Sequence, residues 1–151
     1  MTTANDVPAD RLIKKMAEKL KADQRVKVPE WAPFVKTGLH AERGPTQADW
    51  WHSRLAAVLR KVYLQGPIGT DKLSQTFGGT RDRGSKPNRA AKGSRSISRH
   101  SLKQLEACGY VVPQKKMGRI VTPEGQKFVD NTAHEVIQEL AKENPALAKY
   151  A

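Results

Sequence analysis

One run of spacings constrains the fold of this chain more than any other feature: Leu102-x-x-Leu105-Glu106-x-x-Gly109-Tyr110-Val111, a polar turn, Gly118-Arg119, then Thr122-x-x-Gly125. Leucines three apart seat one face of a helix in a core. Gly109 ends that helix and lets the chain reverse into a strand. Tyr110-Val111-Val112 and Arg119-Ile120-Val121 read as two short strands joined through a Lys115-Lys116-Met117-Gly118 turn. Thr122-Pro123-Glu124 is then a strong helix start. Helix, hairpin and helix in such close order call for a helical body with a small two-stranded flap at its side.

The preceding residues supply more helices. Asp6 and Pro8 open the first, with Leu12, Ile13, Met16 and Leu20 at helical spacing and an end near Asp23. Pro29, Pro33 and Pro45 forbid a long helix in Val26 to Ala48, so that segment is expected to be irregular and pinned by buried Trp31, Phe34 and Val35. The clearest helix starts at Asp49, with Thr46 and Asp49 as a capping box, and stops at Gly66-Pro67. Trp51, Leu55, Val58, Leu59 and Val62 share its apolar face; Arg60 lies opposite, and Arg54 and Lys61 flank it. Ile68, Leu73 and Phe77 frame a short helix capped by Thr70. Thr80 to Ser96 has almost no bulky apolar residue and, alone, reads as a mobile loop. Ser96 to Cys108 is helical, and the last helix runs from Thr122 to Asn144-Pro145 with a broad apolar face through Val129, Val136 and Ile137.

This order is that of a mainly α fold: a winged helix-turn-helix core with a small two-stranded wing and extra N- and C-terminal helices. One domain over residues 1–151 is expected, with the basic loop at 80–96 and the wing at 110–122. Leu, Ile, Val and Phe supply 30 of 151 residues, close to the roughly 20% below which charged chains fail to fold, so the core is modest. The lone Cys108 excludes an internal disulfide, suits a reducing compartment and reads as a small buried hydrophobe. No apolar stretch nears the ~20 residues of a membrane span, and the first residues lack a secretory pattern, so a soluble, intracellular, cytoplasmic protein is expected.

Charge narrows the function. Thr80 to Arg119 contains eleven basic and two acidic residues, a balance of +9 in a chain of +12. A field this local points to a polyanion, nucleic acid above all. Arg81, Arg83, Lys92, Arg95, Arg99, Lys103, Lys115, Lys116 and Arg119 are candidate contacts within that stretch. Lys36, Arg43, Arg54, Arg60 and Lys61 are candidates before it. Trp50, off the apolar stripe, is expected to be partly exposed and able to stack on a base, whereas Trp31 and Trp51 are expected to be core anchors. The four histidines have no metal-ligand spacing, no glycine loop has phosphate-cradling context, and no nucleophile has a base beside it. No cofactor, metal, small-molecule substrate or catalytic residue is expected.

A resemblance agrees with this reading. Pro29-Glu30-Trp31-Ala32-Pro33-Phe34-Val35-Lys36-Thr37-Gly38, then His40, Glu42-Arg43, Asp49-Trp50-Trp51, Arg54, Ala56, Leu59-Arg60 and Tyr63 match a known pattern. It returns with Gly66-Pro67, Gly78-Gly79, Arg83-Gly84, Gly93-Ser94, Gly118-Arg119 and Thr122-Pro123. Nearly the whole chain resembles the small-subunit ribosomal protein nineteen-e family shared by archaea and eukaryotes. The resemblance implies a structural, RNA-binding protein in the head of the small ribosomal subunit, needed for late maturation of that subunit's RNA. Small-subunit ribosomal RNA and neighbouring small-subunit proteins are the implied partners. It also implies a basic surface at Arg54 and Arg60 on the central helix and at Arg99 on the helix after the loop, with His100 where some members carry another Arg. From the fold alone, a winged-helix transcriptional regulator reading DNA is the alternative.

Overall fold

Trp51, Leu55, Val58, Leu59 and Val62 are shut off from solvent along α2 (Trp50–Gln65), and this stripe makes α2 the axis of the molecule. In the computed structural model, which describes residues 2–150, α1 (Ala9–Ala22), α4 (Arg95–Ala107) and α5 (Pro123–Glu143) all pack on it. Leu12, Met16 and Leu20 of α1, Leu102 and Leu105 of α4, and Val129, Ala133 and Val136 of α5 join the same core. Each buried leucine is worth roughly 1.5–3 kcal/mol of transfer free energy, which lets a modest core suffice. Residues 1 and 151, the ends of the single unit expected from the sequence, lie outside the described residues.

The winged arrangement follows. A short α3 (Thr70–Thr76) packs on α4, and β3 (Val111–Gln114) pairs antiparallel with β4 (Gly118–Val121), Val111 opposite Val121 and Gln114 opposite Gly118. Ile68, just before α3, adds a rung: its N–H donates to the Arg119 carbonyl at 3.0 Å and its carbonyl accepts from the Arg119 N–H at 2.9 Å. Gly118 turns the wing at φ +118°, and a Cβ there would run into the Ile68 carbonyl, so only glycine fits. Thr122 caps α5, its hydroxyl accepting from the Gly125 N–H at 3.1 Å. The fold is mainly α, with the winged core and the two added terminal helices predicted from the spacing.

Several local expectations are corrected. The stretch at 80–96 is not simply a loop. Gly79–Arg81 (β1) and Arg89–Ala91 (β2) form an antiparallel hairpin, and α4 begins at Arg95 under a Ser94 cap. The hairpin's base is held by long-range backbone bonds: the Gly93 N–H donates to Ser74 O and the Ser94 N–H to Thr37 O, both at 2.8 Å. Such bonds leave no trace in hydropathy. Phe34, expected to be buried, is 88% exposed, because Trp31 and Ala32 take the inward positions of the Ala32–Phe34 turn. The Thr46–Asp49 capping box does not form, and α2 has no side-chain cap. Gly69 rather than Thr70 is the N-cap of α3, and Pro8 precedes α1 while Asp6 accepts from Thr3.

Candidate nucleic-acid interface

The hairpin brings like charges together. Arg81 lies directly opposite Arg89, and both are exposed. Such a pair is destabilising unless an anion sits between its members. The hairpin's one acid, Asp82, is exposed and accepts from the Gly84 N–H at 2.9 Å, and Arg83 donates to the Pro87 carbonyl at 3.3 Å.

Arg95, Arg99 and Lys103 then recur every fourth residue along the exposed face of α4, with no carboxylate partner among the described residues. At the head of α4 a groove of about 750 Å³ gathers Lys36, Lys92 and Arg95 around the helix N-terminus. A helix start favours anions through its unshared N–H groups and its dipole. Lys92 is partly committed, since its Nζ donates to Asp71 at 3.0 Å.

A second cleft, of about 420 Å³, lies beside the first turns of α2 and is lined by Arg43, Trp50, Arg54 and Phe77 among others. The Arg54 guanidinium lies 4.3 Å over the centre of the Phe77 ring. Burial pulls its pKa down, and no carboxylate offsets that cost. Trp50 corrects an expectation: it is 8% exposed and packed edge-on to Trp51 with ring centres 5.6 Å apart. It is therefore no open stacking platform. Phe77 carries the aromatic face instead, and composition gave no sign of it because the contact with Arg54 joins α2 to the end of α3.

The remaining candidates are dispersed. Arg60 and Lys61 sit farther along α2, half-buried, with the Arg60 Nε enclosed and unpartnered. Lys115 and Lys116 are exposed at the wing tip. Arg119 is held within the molecule, donating through Nε to Glu106 at 2.5 Å and so tying the wing to α4. Among the described residues no group of His, Cys, Asp and Glu is placed to hold a metal, and no helix is long and apolar enough to cross a membrane.

With this geometry in view, the likeness to known proteins is informative. Residues 3–139 match the family described as ribosomal protein S19e. The chain is 45% identical over 152 residues to the small ribosomal subunit protein eS19 of Aeropyrum pernix, covering 99% of each chain. It is 42% identical over 150 residues to that of Thermoplasma acidophilum, again covering 99% of each. The protein eS19G of Ascaris suum is 36% identical over 138 residues, 91% of this chain and 93% of the relative.

Proposed function

This chain belongs to the ribosomal protein S19e family and is a structural constituent of the small ribosomal subunit, and we propose that it works there by gripping ribosomal RNA with the hairpin, the exposed face of α4 and the two clefts. It thereby supports assembly of the subunit head and late maturation of its RNA, beside neighbouring small-subunit proteins. Its role is structural rather than catalytic.

The observation that carries this reading is the row Arg95, Arg99 and Lys103. Three cations on one helix face without acids repel one another, by roughly 0.2–0.5 kcal/mol per i,i+4 pair. A phosphate backbone reverses that sign, and released counterions add to the gain. Lys36, Arg43, Arg54, Arg60, Lys61, Arg81 and Arg83 extend the grip along the same chemistry, and Lys115 and Lys116 reach out from the wing. The DNA-regulator reading has less support. Such regulators pair through a free apolar stripe, whereas the apolar face of α5 is taken up by α1 and the core.

The decisive variant is Arg95→Glu, Arg99→Glu, Lys103→Glu. These side chains are exposed, so the fold should survive, as judged by circular dichroism. Affinity for small-subunit RNA should fall by roughly two orders of magnitude or more. The variant should also be missing from the small-subunit peak of a sucrose gradient. Normal co-sedimentation of a folded variant would refute the proposal. Reversal of Arg54 is a poorer test, since it would press a carboxylate against Phe77.

A further inference from the structure

The cleft beside α2 differs in kind from the rest of the basic surface. Phosphates on a surface need only exposed cations, as α4 provides. Here the cations are coupled to flat apolar groups in a recess. Arg54 is stacked on Phe77 at 4.3 Å, Arg43 is at the exposed rim, Trp50 and Ala57 line the wall, and Gln47 offers an amide. No acidic residue lines the space. Its volume of about 420 Å³ lies in the range of small-molecule pockets, ~300–1,000 Å³, and is far too small for a duplex.

We infer that this cleft takes one unstacked nucleotide of the RNA, its base laid against the Arg54–Phe77 stack and its phosphate held by Arg43. Bases splayed from their helix are recognised by stacking on aromatic rings and on guanidinium planes, with hydrogen bonds to their edges. Arg54 is already fixed in such a stack, so little side-chain freedom is lost when a base arrives. Gln47, Ser53 and Thr37 provide donors and acceptors at the rim. A protein side chain is a weaker fit. A carboxylate would satisfy the arginines but leave the flat apolar wall uncovered, and an aromatic would do the reverse; a nucleotide does both. This inference rests on the RNA-binding reading above and specifies the ligand of one of its sites.

The test uses the full chain bound in small subunits. Ultraviolet irradiation, digestion and mass spectrometry should find a single-nucleotide adduct on the peptide bearing Trp50 or on that bearing Phe77. Ala57→Trp, which fills the cleft without changing charge, should abolish the adduct and weaken binding to small-subunit RNA about tenfold. Phe77→Leu, which keeps the apolar wall but removes the ring, should weaken binding severalfold and stands in if the bulkier variant misfolds. If both folded variants bind RNA as the wild type does and no adduct forms here, the nucleotide pocket is wrong while RNA binding stands. Cross-linking of the cleft to a neighbouring protein would also overturn it. If the wild-type chain fails to bind small-subunit RNA at all, the broader reading falls as well.

Discussion

Two helices of this molecule carry the same row of charge and use it in opposite ways. On α1, Arg11, Lys15 and Lys19 recur every fourth residue; on α4, Arg95, Arg99 and Lys103 do the same. Each cation of the α1 row meets a glutamate of α5: Arg11 with Glu143 at 2.7 Å, Lys15 with Glu139 at 2.5 Å, and Lys19 with Glu135 at 2.8 Å. The glutamates run in the reverse order because the helices are antiparallel. Lys19 also donates to Thr132 at 3.1 Å, which ties the ladder to the core. The row on α4 has no such partner among the described residues. Spacing therefore does not reveal the purpose of a cationic row. What matters is whether the fold brings an acidic row opposite it; where it brings none, the row is left free for the RNA partner proposed above.

The largest expected effect comes from reversing the rows one at a time. Arg11→Glu, Lys15→Glu, Lys19→Glu would set three acids against three acids, and Tm by circular dichroism should fall by many degrees. RNA affinity of the folded fraction should stay within about twofold of wild type. Adding Glu135→Lys, Glu139→Lys, Glu143→Lys restores opposite charges across the seam and should recover most of the lost Tm. The α4 reversal should do the opposite, sparing Tm and removing RNA binding. If the α1 variant lost RNA binding while keeping its Tm, the two rows would not differ as the structure has them.

This contrast also marks how much was legible in the sequence. Local rules found the elements: Leu102 and Leu105 seated α4, Gly118 turned the wing, Thr122 capped α5, and the Trp51-to-Val62 stripe placed α2 at the centre. The errors arose where distant partners decided the outcome. The hairpin at 79–91 is held at its base by Ser74 and Thr37, which lie nineteen and fifty-seven residues away in sequence from their partners Gly93 and Ser94. A helical wheel puts Trp50 partly outside, but it is 8% exposed, with Trp51 packed edge-on against it. For the site, the cations themselves were visible at once. Which of them were committed internally was not, because Glu106 and Asp71 reach Arg119 and Lys92 only in the folded state. The α1–α5 ladder was in principle readable: bases at 11, 15 and 19 and acids at 135, 139 and 143 are complementary for antiparallel helices.

A smaller effect is expected in acid. Hydrogen bonding from Lys15 holds the Glu139 carboxyl below its usual range, and Arg11 does the same for Glu143. A depressed carboxyl contributes stability that is fully present above its unfolded value, 4.5 here, and is lost as pH falls through the lower folded value. The seam should therefore weaken as pH falls. Tm measured from pH 6 down to about pH 3 should decline more steeply in the wild type than in Glu139→Gln, Glu143→Gln. Lys15, raised by the same contact, adds an alkaline limb that starts only above its usual 10.5. Parallel acid profiles for wild type and variant would mean that the ladder contributes nothing measurable, which is common for exposed pairs.

The smallest effect falls on the cation that sequence and structure assign differently. Arg119 lies in the basic stretch that the sequence assigns to RNA contact, yet it is three-quarters shielded and bound to Glu106, whose side chain is equally shielded, at 25% exposure. If that pair persists in the ribosome, Arg119→Gln should lower RNA affinity by less than about twofold, whereas Arg99→Gln should lower it several-fold. The cost should appear in the fold. A half-buried Glu106 left without its partner should cost about 1 kcal/mol, between the value of an exposed pair and that of a buried unpaired group. Adding Glu106→Gln should return most of that stability without touching RNA affinity. Should Arg119→Gln instead match Arg99→Gln in RNA binding, the pair must open on contact with RNA. The division between cations used inside the molecule and cations turned outward would then hold on α1 but not at the wing.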